Sequence, residues 1–197
     1  GIGKSTFSYH LINYIFSLDE KNNYDLKNLK INEINRSFNL VKSNSHPNFH
    51  LIEVGNEKKN IEIDQIRQMI NFCNKSSFNN REKIVLIDSI EKLNKNSVNA
   101  LLKIVEQPND NIYFILILDS NKNILNTLKS RCVKFNFFLT SKESIKITNL
   151  ITNSNIFELI NQDLIHYYSS PGHYIKLINF SKKYDFDLKN TDLKKFL

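Results

Sequence analysis

Lys83-Ile84-Val85-Leu86-Ile87-Asp88 decides the fold: a continuous apolar run that terminates in a carboxylate. A strand of this composition has both faces covered, as the central strand of a parallel sheet does when helices pack on either side. On its C-terminal side, Asn94 is placed to cap a helix with Val98, Leu101, Leu102 and Val105 on one face, and Pro108 stops it. Ile112 to Leu118 reads as a second apolar strand and Val133 to Phe137 as a third, shorter one. On the N-terminal side, Asp64 is placed to cap a helix with Ile66, Met69, Ile70 and Cys73 at helical spacing, which makes Cys73 a core residue rather than a reactive thiol. Before it, Asn48-Phe49-His50-Leu51-Ile52-Glu53-Val54 alternates apolar and polar residues up to Gly55-Asn56, the pattern of a strand ending in a turn. His46-Pro47 fixes an extended approach to that strand. Strands alternating with helices at this spacing predict an open parallel α/β sheet.

At the start of the chain, Gly1-Ile2-Gly3-Lys4-Ser5-Thr6 reads as the closing half of a phosphate-binding loop, G-x-x-x-x-G-K-[ST]. In such a loop backbone N–H groups cradle phosphates, the lysine reaches the β/γ-phosphates and the hydroxyl holds Mg²⁺. Gly3, Lys4 and Ser5 supply the last three positions. The opening glycine and its strand would lie upstream, so the sequence is expected to be a fragment or a truncated product that begins in mid-motif. The plainer reading is a Gly-rich cap before a helix. That helix carries Leu11, Tyr14, Ile15 and Leu18 at i, i+3, i+4, i+7, and its positive N-terminal end would face a bound phosphate. Mg²⁺ on nucleotide phosphates needs a carboxylate from another strand, and Asp88 is placed to be that Walker B aspartate. The alternative is that Asp88 only caps the following turn. Asp19 to Ser45 is polar and rich in Asn and Lys, a poorly regular insertion with a short helix expected around Asn28 to Val41.

Beyond Thr140 only helical patterns follow. Ser141 with Ser144 opens one, Asn155 to Tyr168 makes another, and Pro171-Gly172 starts a third containing Tyr174, Ile175, Leu177 and Ile178. The expected organisation is a nucleotide-binding α/β domain over 1–140, its first strand missing, and a small helical lid domain over 141–197. The net charge of +7 permits contact with nucleic acid, but the basic residues are scattered and the Lys, Asn and Ile usage is that of an AT-rich genome, so no dedicated DNA-binding patch is defined. Cys73 and Cys132 are far apart, which argues against a disulfide framework and fits a reducing cytoplasm. No apolar run approaches the ~20 residues of a membrane span.

His46-Pro47-Asn48, Ile63-Asp64-Gln65-Ile66-Arg67, Ile84 to Asp88, Asn99-Ala100-Leu101-Leu102-Lys103-Ile104-Val105-Glu106-Gln107-Pro108 and Ser130-Arg131-Cys132 together resemble the bacterial DNA polymerase III clamp-loader family, most closely its delta-prime branch. The resemblance implies an AAA+ ATPase module followed by a helical lid, in a pentameric assembly with gamma/tau and delta subunits that opens the sliding clamp and places it on primer-template DNA. It further implies that Arg131 is an arginine finger acting in trans on a neighbour's nucleotide, since a guanidinium supplies charge to a transition state spread over phosphoryl oxygens. Gly1, Gly3, Lys4, Ser5, Thr6 and Asp88 would bind ATP, with Ser5 and Asp88 on Mg²⁺.

Several positions depart from the family pattern. Ser89 stands where an active ATPase of this class carries a water-activating glutamate, with Glu91 two residues on. Asp119-Ser120-Asn121 replaces the usual Thr-Thr-Asn type of sensor, and His173 in Ser170-Pro171-Gly172-His173 takes the place of a second sensor arginine. The zinc-binding cysteines of many relatives are absent from residues 19–45, so no zinc is expected. These losses predict a weak or absent ATPase of its own. The alternatives are the gamma/tau ATPase of the same complex, disfavoured by Ser89 and the missing cysteines, and a P-loop nucleotide kinase, disfavoured by a C-terminal region poor in arginine.

Overall fold

The computed structural model describes residues 1–55, 58–107, 109–119, 122, 126–165 and 169–191. The chain divides into two compact units, one comprising Ser5–Lys134 and the other Phe135–Leu197 together with Gly1–Lys4.

The larger unit is built on three parallel strands in the order β1 (Phe49–Ile52), β2 (Lys83–Ile87) and β3 (Ile112–Leu116). Every residue of β2 is buried, as its apolar run requires, and the period of the strand sorts its side chains to two faces. Ile84 and Leu86 pack with Ile12 and Phe16 of α1 (Lys4–Ser17). Val85 and Ile87 pack with Ile66, Met69 and Cys73 of α3 (Ile63–Asn74) and Leu101 of α4 (Lys95–Glu106). Asn94 caps α4 by accepting from the Ser97 N–H at 2.8 Å. Between α1 and β1 lies the short helix α2 (Arg36–Lys42), and α5 (Asn126–Lys129) follows β3.

The surroundings of β1 explain one of the quoted motifs. The Asn48 side chain, buried to 2% exposure, accepts from the Phe78 N–H at 2.7 Å and donates to the Phe78 carbonyl at 3.0 Å, joining the start of β1 to a segment thirty residues away. Its own N–H donates to His46 Nδ1 at 3.2 Å, which leaves the ring proton on Nε2, facing Ser37 Oγ at 3.4 Å. The ring stacks on Phe16 with centroids 4.1 Å apart. Burial holds the His46 pKa below its ordinary 6.5, against the pull of Glu20 and with the push of Arg81, and burial also lowers that of His50. A histidine depressed in the folded state takes up its proton first in the unfolded chain, so stability is lost as the pH falls below 6.5 toward the folded values. Thermal unfolding should therefore drop by a few degrees between pH 7.5 and 5.5. His46→Gln should flatten that slope, and an unchanged slope would refute the role of the ring.

The larger unit departs from several sequence expectations. The buried stripe of α1 is Ser8, Ile12 and Phe16, whereas Leu11 and Leu18 are 36% and 54% exposed. Apolar residues surround most of this helix, so its period alone does not choose a face, and the sheet does. Val133 to Phe137 forms no strand, and Val133 and Phe135 are 84% and 77% exposed. A strand exists through its ladder, and among the described residues no neighbour pairs with this segment. Glu62, not Asp64, caps α3, in a reciprocal box with Gln65, whose amide also donates to the Glu53 carbonyl at 2.9 Å. The insertion is shaped by side chains more than by helix. α2 spans only Arg36–Lys42, while the Glu20 carboxylate accepts from Asn35 at 2.7 Å and from Ser37, and Asp25 closes a turn with Lys27 and Asn28.

The smaller unit is helical, with α6 (Ser141–Thr152), α7 (Ile156–Leu159) and α8 (Pro171–Tyr184) around Ile156, Ile160, Tyr174, Ile178 and Leu188. Thr140 and Glu143 form the capping box of α6, and Ser144 is instead buried, donating to the Ser169 carbonyl. The helix expected over Asn155 to Tyr168 is α7 followed by a 3-10 turn at Gln162–Leu164. Pro108, Ser120, Asn121, Tyr168 and the turn residue Asn56 lie outside the described residues. Among the described residues no helix is long and apolar enough to cross a membrane.

Candidate functional site

Gly3 adopts φ +87°, a conformation that a side chain would strain, and the chain turns there into α1. Lys4 is the first residue of that helix and Ser5 the second, while Thr6 is exposed. The Ser5 hydroxyl donates to Asp88 Oδ2 at 2.6 Å, across 83 positions of sequence. Asp88 leaves the C-terminal end of β2, its N–H bonded to the Ile52 carbonyl at 2.9 Å, and so sits where the sheet opens toward the start of α1. The structure thus brings together Ser5 and Asp88, from the two motifs that the sequence singled out. In the smaller unit, Gly172, second residue of α8, donates its N–H to the Gly1 carbonyl at 3.2 Å, and a Cβ added there would clash with the Gly1 backbone.

The other oxygen of Asp88 accepts from the Ser89 hydroxyl at 3.2 Å. Ser89 itself has φ 65° and ψ 56°, a left-handed conformation that is uncommon for a residue with a side chain. Its short hydroxyl is turned back onto Asp88. Glu91 accepts from the Asp119 N–H at 3.3 Å, tying the turn after β2 to the loop after β3. Close by, the Tyr9 phenol is pushed above its ordinary pKa of 10.0 by burial first and then by the charges of Glu53 and Asp88. At this point a hydroxyl and a carboxylate oxygen already lie side by side. That donor set suits a hard divalent cation, which prefers oxygen ligands.

Arg131 lies just beyond α5, whose Leu128 is anchored in the core at 1% exposure. Its Nη1 donates to the Thr127 carbonyl at 2.8 Å, and its Nη2 pairs with Glu106 Oε1 at 2.8 Å. Glu106 is a site residue that the sequence reading did not single out. The signal was present, because Glu106 belongs to the quoted Asn99 to Pro108 segment, but no pattern within either segment couples it to Arg131. Cys132 beside them is an exposed, free thiol whose pKa is raised by partial burial.

The sequence pattern of the family described as DNA polymerase III, delta subunit, matches residues 1–140. The chain belongs to this family. It is 35% identical over 129 residues to a DNA polymerase III subunit delta' of Buchnera aphidicola subsp. Baizongia pistaciae, covering 61% of this chain and 38% of that protein. With the subunit delta' of Haemophilus influenzae it shares 31% over 132 residues, covering 65% and 40%. A subunit gamma of Buchnera aphidicola subsp. Schizaphis graminum is 35% identical, but over 83 residues only, 42% of this chain and 23% of that protein. The matched region thus spans about two fifths of the delta' relatives' length, and the longer alignments are with delta' rather than gamma.

Proposed function

We propose that this chain is the delta-prime subunit of a DNA polymerase III clamp loader, which works with gamma/tau and delta subunits to open the sliding clamp and place it on primed DNA. Family membership over residues 1–140, with delta' proteins giving the longer alignments, is the observation that supports this reading. Residues 1–140 are its AAA+ module and 141–197 its helical lid. Within the module, Gly1, Gly3 and Lys4 with Thr6 would cradle the phosphates of ATP, and Ser5 and Asp88 would hold Mg²⁺. A bound Mg²⁺ neutralises charge on the phosphate oxygens. The residues' own part is to fix those oxygens in place, and the 2.6 Å contact of Ser5 with Asp88 supports their acting as a pair. Arg131 would act on a neighbouring subunit's nucleotide.

The module's own hydrolysis is weak or absent. The side chain at 89 is a hydroxyl bonded to Asp88 rather than a carboxylate able to activate water, and Glu91 is engaged with the Asp119 N–H. Steady-state ATP turnover by the full-length subunit tests this, and rates typical of motor AAA+ proteins would refute it. Binding separates from hydrolysis: Ser5→Ala should weaken the Mg²⁺-dependent part of ATP-analogue binding on the order of 10-fold. Equal binding by both proteins, in titrations with and without Mg²⁺, would remove Ser5 from the site.

A further inference from the structure

Glu106 is the last residue of α4, and a carboxylate at a helix C-terminus faces the partial negative charge of the unpaired carbonyls. Lys103 one turn earlier offsets part of that cost, and Arg131 pairs with the carboxylate directly at 2.8 Å. The same guanidinium is fixed from its other nitrogen by the Thr127 carbonyl at 2.8 Å and, more loosely, by Ser130 Oγ at 3.4 Å. Arg131 is therefore held in a defined place with its charge offset, yet the two side chains are 36% and 47% exposed. An ion pair in that setting contributes little to stability and exchanges readily. A phosphate chain carries more charge than one carboxylate and likewise accepts both arms of a guanidinium, so it can compete with Glu106 for Arg131.

We propose that Glu106 is a positioning residue for Arg131: its carboxylate holds the guanidinium in reserve and gives it up when the phosphates of a neighbouring subunit's nucleotide arrive. This rests on the reading of Arg131 as a finger acting in trans. Glu106 sets how much binding free energy the finger delivers, because its grip must be released before the phosphates are engaged. Thr127 keeps the guanidinium aimed while that exchange occurs.

The test uses the full-length subunit assembled with its ATPase partners, following ATP turnover at the facing site. Glu106→Gln keeps the shape and removes the charge, and it should lower the KM for ATP at that site roughly 2- to 5-fold with kcat maintained. Glu106→Asp, which retains the charge, should restore the wild-type KM. In an Arg131→Ala background Glu106→Gln should do nothing. If Arg131→Ala slows turnover but Glu106→Gln leaves KM unchanged or raises it, the holding role is overturned and the finger stands. If Arg131→Ala itself has no effect, both readings fall. Thermal unfolding of each variant shows whether the fold is intact, and a merely structural pair would move that midpoint without moving KM.

Discussion

Replacing Arg131 with alanine is expected to slow ATP turnover at the facing site of the assembled complex by on the order of 10³-fold, while the subunit itself stays folded. The size of the effect follows from where the charge is needed. A phosphoryl group in transfer spreads negative charge over oxygens that ordinary hydrogen-bond donors answer incompletely, and a guanidinium supplies a full positive charge with a planar fork of donors. Stability should hardly respond. What the protein loses is an exposed pair with Glu106 and a bond to the Thr127 carbonyl, worth about 1 kcal/mol or less. The measurement is single-turnover hydrolysis with the other nucleotide sites disabled, alongside thermal unfolding of the isolated subunit. Unchanged turnover would exclude a finger at 131, and a collapse in stability would mean that the residue is structural. Arg131→Lys should recover only a small part of the rate, since an ammonium is a point charge without the fork.

Replacing Lys83 with methionine is expected to cost about 2–3 kcal/mol of stability, a large effect for a residue whose aliphatic stem is retained. Lys83 opens β2, is only 3% exposed, and sends its ammonium to the end of α3. There it donates to the carbonyls of Phe72 and of Lys75, the latter at 2.7 Å, reaches that of Cys73 at 3.5 Å, and lies over the Phe72 ring at 4.3 Å from the centroid. The carbonyls of Phe72 and Cys73 belong to the last turn of α3, whose carbonyls lack an onward helical donor, and a cation at that end also answers the helix dipole. Burial pushes the Lys83 pKa down, with the Lys75 charge adding to it and Cys73 opposing it. Methionine would preserve the packing but remove the ammonium's bonds, leaving Phe72 with the Lys75 N–H at 3.3 Å and Cys73 with the Asn109 amide at 3.1 Å. Urea unfolding checks this: the midpoint should fall with the slope unchanged, and an unchanged midpoint would show that the carbonyls find other donors.

The sequence was most legible where the deciding physics is local. The run Ile84 to Ile87 could only be a strand covered on both faces, and it is wholly buried between α1 and the α3–α4 layer. Asn94 was readable as a cap because a side-chain acceptor before an apolar helical period has few other uses. Asn48 and Gln65 were quoted as parts of motifs, but their work was hidden: each bonds backbone groups that become neighbours only after folding, at Phe78 and at Glu53. Lys83 read as a flank of the apolar run, and nothing in the sequence announced that its ammonium would be enclosed.

By itself the sequence determined the parallel α/β class, the order of β1, α3, β2, α4 and β3, and the position of Asp88 at the end of the central strand, because periodicity, caps and strand ends depend on residues close in the chain. It also determined family membership through motifs spread over residues 1–140. The tertiary structure alone decided which stripe of α1 is buried, that Val133 to Phe137 forms no ladder, that Ser5 meets Asp88, and that Arg131 is paired with Glu106. Each of these depends on a partner surface distant in the chain. The preference of a residue says what it can do, while the surface it meets decides what it does.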